Sequence, residues 1–237
     1  TRRGSSVSLT LQATPPYSKI FKNERADALL AKKEAGTMTS EEAENLKQEL
    51  FKWVEYYKTE FKAKLFTPLS SNQKLVLMTR AEYGFLGYYD KNRRSPFERY
   101  YVGGDGTTGT SGTYALTTVT LRGYDNGTLT PREQFYAGDY VQYAGNMYSK
   151  ISFELRYPLM LEQAATIYVL TFAEAGNAWK NFKEFNPLNL KRSVGAGVRI
   201  FLPMLGLLGV DYGYGFDKNV LGEKGGHNCH IVIGQEF

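Results

Sequence analysis

A chain of 237 residues is long enough for one domain with a large buried surface, or for one barrel. Its 29 Lys and Arg stand against 24 Asp and Glu, a balance of +5 spread along the chain without a basic stripe, which argues against a nucleic-acid partner. A single cysteine, Cys229, excludes an intramolecular disulfide framework, and no apolar run is long enough for a transmembrane helix, while 18 Tyr and 14 Phe suit interfacial aromatic belts.

The chain opens at Thr1 directly on strand-like sequence, with no basic-then-apolar leader, so it reads as a mature portion of something longer. Side chains of a strand point alternately to opposite faces, so a period of two reveals both the strand and its two environments. Eight segments carry that period. The first sets Val7, Leu9 and Leu11 against Ser6, Ser8, Thr10 and Gln12. The second alternates Tyr57, Phe61 and Leu65 with Lys58, Glu60, Lys62 and Lys64, and the third sets Leu77, Ala81, Tyr83 and Phe85 against Arg80 and Glu82. A fourth places Ile151, Phe153, Leu155 and Tyr157 opposite Lys150, Ser152, Glu154 and Arg156, and a fifth, Thr166 to Glu174, is apolar on both faces. The sixth alternates Val194, Val198 and Ile200 with glycines and Arg199. In the seventh, Val210, Tyr212, Tyr214 and Phe216 oppose Asp211 and glycines, and the last sets Cys229, Ile231, Ile233 and Phe237 against Asn228, His230 and Gly234.

The connections alternate in length. Thr67 to Asn72, Pro158 to Gln163 and Pro203 to Gly206 read as short turns, whereas Thr14 to Glu55 and Leu86 to Met147 are long. Up-and-down membrane barrels have short turns on one side and long loops on the other. A water-filled lumen also tolerates Lys58, Lys62, Glu154 and Arg156, which the closed core of a lipocalin-like barrel or a sandwich does not. The fold class expected is therefore all-β, an antiparallel up-and-down transmembrane β-barrel with about eight strands present and long extracellular loops, one partly helical. The helical part is an insert at about 21–52: Thr39 and Glu42 have capping-box spacing, and Ala43, Leu46 and Leu50 follow at helical intervals after a break at Gly36. It reads as surface decoration.

The second long loop, about 86–147, holds Leu121-Arg122-Gly123-Tyr124 in a Gly/Thr-rich setting between membrane-type strands. A charged side chain so placed points to a loop that folds back into the lumen and is anchored there. The loop opens with Phe97-Glu98-Arg99-Tyr100-Tyr101-Val102-Gly103-Gly104, and further on come Glu174-Ala175-Gly176-Asn177-Ala178-Trp179, Ser193-Val194-Gly195-Ala196-Gly197 and Ile233-Gly234-Gln235-Glu236-Phe237. In this order the segments resemble the BamA family of outer-membrane barrel insertases and the wider bacterial surface antigen and assembly superfamily. An inserted segment from Asp105 to Thr120 and the helical insert depart from the family pattern without touching the motif.

The resemblance implies that residues 1–237 are the C-terminal half of a barrel of about 16 strands. It implies that Arg122 pairs in the lumen with Glu154 and Glu174; strand parity supports Glu154 and leaves Glu174 undecided. It implies a last strand, with Ile233, Gly234 and Phe237, that serves as assembly signal and as one side of a weakly paired lateral seam, where unpaired edge groups template an incoming strand. The expected function is folding and insertion of β-barrel proteins into the outer membrane of a Gram-negative bacterium, without enzymatic chemistry or cofactor. The partners implied are outer-membrane lipids, unfolded outer-membrane clients and accessory assembly lipoproteins. Two other functions fit the strand pattern: a two-partner-type translocation pore of the same superfamily, and a self-contained small barrel acting as adhesin or anchor.

Three other signals do not carry chemistry. Gly104, Gly106 and Gly109 match G-x-G-x-x-G without a leading strand or following helix. His227, Cys229 and His230 resemble a metal cluster, but Cys229 and His230 fall on opposite faces of a strand. Glu154 and Glu174 as catalytic carboxylates lack a cleft and a partner group, and no nucleophile triad is recognisable.

Overall fold

The structure, a computed structural model, describes residues 3–90, 94–106, 116–133, 142–162, 165–204 and 206–233. In chain order it has β1 (Gly4–Ala13), α1 (Tyr17–Ile20), α2 (Glu24–Glu34), α3 (Ser40–Phe51), β2 (Tyr57–Pro68) and β3 (Val76–Gly87). There follow four short strands, β4 (Tyr100–Val102), β5 (Thr117–Val119), β6 (Arg132–Glu133) and β7 (Gln142–Tyr143). The chain closes with β8 (Met147–Leu161), β9 (Thr166–Trp179), β10 (Lys191–Leu202), β11 (Gly206–Lys218) and β12 (Lys224–Ile233).

Eight long strands form one antiparallel sheet in the order β1-β2-β3-β8-β9-β10-β11-β12. All eight are the segments read from period two. At 10 to 15 residues each is long enough to cross a bilayer, which takes roughly 9–11 residues in a tilted strand. Leu69 to Leu75, and positions 162–165 and 203–205, link strands at one end; the loops at 14–56, 88–146, 180–190 and 219–223 lie at the other. No described helix is long and apolar enough to cross a membrane.

The two faces are inverted relative to a soluble sheet. On β8, Ile151, Phe153 and Leu155 are exposed outward while Lys150, Ser152 and Glu154 are buried inward. On β10 and β11 the outward set is Val194, Val198, Ile200, Val210 and Tyr212, and the inward set includes buried Ser193, Arg199 and Asp211. Apolar outward and polar inward is the arrangement that suits a lipid-facing wall around a wet lumen.

Two local differences from the sequence reading have plain causes. Pro158 does not begin a turn: β8 runs on to Leu161, and a register shift between Pro158 and Met160 accommodates a residue with no N–H for the ladder. The long central loop, read as lacking strands, is a small packed body. β4 pairs parallel with β5 and β6 antiparallel with β7, and Tyr100, Val102, Val119, Leu121, Tyr124 and Leu129 form a core against the wall residues Leu86, Tyr148 and Ala178. Strands of two or three residues are too short to show a period.

In the first long loop, Asn23 caps α2, and Thr39 with Glu42 makes the capping box of α3. The two helices pack through Ala26, Leu46 and Leu50. At the sheet's margins, β1 pairs only with β2 and β12 only with β11 among the described residues. Every residue of β1 is exposed.

Candidate functional site

The central loop reaches the inner wall through four consecutive residues, and the wall is carved to receive them. Leu121 and Gly104 exchange backbone hydrogen bonds of 3.0 and 3.1 Å, which fix the approach. Gly123 then lies flat against the sheet with φ +86°, in the left-handed region that glycine adopts without cost. A Cβ added at Gly215 or Gly225 would come within 2.3 or 2.6 Å of the Gly123 carbonyl oxygen, and one at Gly213 within 2.8 Å of its nitrogen. The glycines of β11 and β12 are therefore the groove in which the loop backbone sits.

Arg122 is 1% exposed and enters a cluster of carboxylates from three strands. Its Nη2 donates to Glu154 Oε1 on β8 at 2.5 Å and to Glu174 Oε1 on β9 at 2.8 Å, and its Nη1 donates to Asp211 Oδ2 on β11 at 3.1 Å. Its backbone N–H donates to Glu174 Oε2 at 2.9 Å, so Glu174 grips both ends of the residue. The guanidinium lies 3.7 Å above the Phe172 ring centroid, a cation–π contact in a dry site. The next N–H, that of Gly123, donates to His230 Nε2 at 2.9 Å. The Tyr124 hydroxyl donates to the Arg192 carbonyl at 2.8 Å and accepts from the Asp217 N–H at 3.2 Å.

Each carboxylate also holds a cation from the wall. Arg156 pairs with Glu154 at 2.7 Å, Lys150 with Glu174 at 3.2 Å, and Arg199 grips Asp211 with both Nη atoms at 2.6 Å. Ser152 adds a hydrogen bond to Glu174 at 3.0 Å and Lys150 one to Thr120 at 3.2 Å. Buried charge is costly unless it is paired and hydrogen-bonded, and this network pairs all of it. What this arrangement does physically is clamp the loop to the wall.

The structure brings Arg122 together with Glu154 and Glu174, and settles the face of Glu174, which lies inward with Leu170 and Phe172. Asp211, Phe172 and His230 are site residues that sequence reasoning did not assign. Asp211 carried a signal: it is a carboxylate set between Gly209 and Gly213 in the middle of the inward row of β11, and it is fully buried. Cys229 is exposed and outward while His230 is buried, so the two diverge, and no metal-binding cluster occurs among the described residues. Of the seam residues, Ile233 ends β12 and faces outward at 64% exposure; Gly234 and Phe237 lie outside the described residues. Gly104 and Gly106 sit in positive-φ turns beside the motif, and Gly109 lies outside the described residues.

A sheet apolar outside and charged inside, with a long loop clamped to its inner wall, defines a protein of the outer-membrane β-barrel class. The chain belongs to the Omp85 superfamily, whose domain matches residues 20–237. It is 32% identical over 128 residues to the outer membrane protein assembly factor BamA of Neisseria meningitidis serogroup B, covering 53% of this chain and 14% of that protein. The chain thus spans a small part of the length of that relative. The crystal structure of BamA from Haemophilus ducreyi lacking POTRA domains 1–3 matches with a TM-score of 0.51 at 17% identity, over 76% of this chain and 36% of that one. At that identity the likeness concerns the fold. As a member of that superfamily it is a component of the outer membrane of a Gram-negative bacterium.

Proposed function

We propose that this chain is the C-terminal portion of the barrel of an outer-membrane assembly factor, and that it folds and inserts client β-barrel proteins through a lateral seam at β12. The observation that carries the reading is the superfamily match over residues 20–237, together with β12 as the last described strand of a lipid-facing sheet, hydrogen-bonded to β11 alone among the described residues. Free N–H and C=O groups on a strand edge add an incoming strand with no further chemistry, and hydrocarbon offers those groups no other partner. Family membership and the name of the Neisseria relative support the same reading. The work is mechanical: there is no enzymatic step and no cofactor. Its partners are unfolded outer-membrane clients, accessory assembly lipoproteins and the surrounding lipids.

Disulfide trapping tests it. In a Cys229→Ser background, Ile233→Cys in the full-length protein is expected to cross-link to a cysteine in the last strand of a client during its assembly in cells. A conducting channel that passes a secreted passenger, with no client strand trapped at β12, favours the translocation pore instead. An isolated eight-stranded barrel that closes on itself and traps nothing favours the anchor reading.

A further inference from the structure

The loop after β9 folds back over the membrane-facing side of the sheet. Its 3-10 turn, Phe182–Glu184, brings Phe182 edge-on to Phe85 at 6.4 Å, and Phe185 meets Tyr83 at 5.9 Å and Trp179 at 4.9 Å. Tyr57 joins the same patch, 5.8 Å from Phe85. Register places Tyr57, Phe85, Met147 and Trp179 near the long-loop end of the strands, in or beside one outward row, the level at which aromatic belts meet lipid headgroups. A flat belt needs no further account, but here the turn stands off from the sheet and leaves a cleft of about 500 Å³.

The chemistry of the cleft is two-sided. Tyr57, Phe85 and Phe182 line it with aromatic surface, and Phe182 is 69% exposed. Arg94, Lys180 and Lys183 line it with positive charge. Lys180 pairs with Glu133 at 2.6 Å, whereas Arg94 and Lys183 have no carboxylate partner among the described residues. Arg94 instead stacks 4.8 Å from the Tyr88 ring centroid, with its Nε buried and without an acceptor. The only lining carboxylate, Glu184, accepts a hydrogen bond from Asn181 at 2.9 Å. Two unpaired cations above an aromatic floor complement an anion carried on an apolar body. Aromatic faces stack on the C–H faces of a sugar ring, a guanidinium forks a phosphate, and acyl chains then run down the apolar wall over Ile151 and Phe153. We infer that this cleft binds the phosphorylated saccharide headgroup of an outer-leaflet membrane lipid. The site is independent of the lumen anchor and of the seam.

Native mass spectrometry of the full-length protein in detergent tests it, with three probes: a bis-phosphorylated acylated glucosamine disaccharide, the same lipid without phosphates, and the deacylated disaccharide bisphosphate. The phosphorylated lipid is expected to bind, and Arg94→Ala with Lys183→Ala to weaken it about thirtyfold, in line with roughly 1 kcal/mol for each of the two cations near an anionic headgroup. Phe182→Ala is expected to weaken it about threefold by removing a stacking face. Lys218→Ala, at the same end of the sheet but on β11, two strands over from β9 and outside the cleft lining, is expected to change nothing. Equal binding of the dephosphorylated lipid overturns the inference on the unaltered protein, whatever the variants do. So does equal binding of the deacylated bisphosphate, which marks a site for soluble sugar phosphates, and so does undiminished binding by a double variant that keeps its folded gel mobility.

Discussion

The backbone N–H of Gly123 donates to Nε2 of His230 at 2.9 Å, tying the tip of the central loop to the last described strand across 107 positions of sequence. The bond requires an unprotonated Nε2, and both groups are buried. His230→Phe leaves the N–H without an acceptor and is expected to cost about 1–3 kcal/mol of loop docking. His230→Gln, which offers a carbonyl at similar reach, is expected to recover part of it. Limited proteolysis of the loop, comparing the two variants, decides.

Arg122→Ala removes the one cation shared by Glu154, Glu174 and Asp211. Breaking a buried pair costs roughly 3–5 kcal/mol, and because each carboxylate keeps a wall cation the loss is expected at the lower end. Protease cleavage within the loop should rise and the unfolding temperature fall. Arg122→Lys is expected to rescue little, since a single ammonium nitrogen cannot span the three carboxylates that the two Nη atoms reach. Unchanged cleavage and unchanged thermal stability in Arg122→Ala would mean that the residue does not anchor the loop.

Gly123→Ala tests the groove separately from the charges. The new Cβ meets the Gly215 nitrogen and the Ser193 Cβ at 2.9 Å, and the residue must hold φ +86°, a left-handed conformation that costs a non-glycine residue about 1–2 kcal/mol. Loop release with an intact β-sheet signal in circular dichroism is expected.

Glu133, on β6 in the extracellular loop, gives a pH dependence. Burial opposes its charge, but the Lys180 hydrogen bond and the nearby Arg99 outweigh burial and hold its carboxyl below the usual carboxylate range. A folded pKa below the unfolded one contributes stability that is complete above about pH 4.3 and is lost as pH falls through the folded value. Hydrogen exchange of the β6–β7 segment is expected to accelerate below about pH 4, and Glu133→Gln to remove that dependence. An identical acid profile in the variant refutes it.

The wall was legible because each long strand faces two solvents and alternates accordingly, as Ile151 to Arg156 does. Arg122 with Glu154 was within reach of the family resemblance together with parity. The apolar flanks of Glu174, Phe172 and Ala173, hid its face, because a strand apolar on both sides carries no period. Phe172 joins the site through cross-strand register, and Asp211 and His230 meet the loop across 89 and 107 positions of sequence; neither relation is local enough to leave a pattern. The short strands β4 to β7 form because the loop packs as a body, a tertiary effect that overrides weak local preference.

The wall supplies its own cation to each carboxylate that receives Arg122: Arg156 to Glu154, Lys150 to Glu174 and Arg199 to Asp211. The receptacle is thus already neutralised, and withdrawing Arg122 strands no anion inside the barrel. Docking becomes a plug entering a finished socket instead of a keystone completing an arch. Release of the loop is therefore expected to leave the wall's own ion pairs in place, so that redocking would need no rebuilding of the sheet.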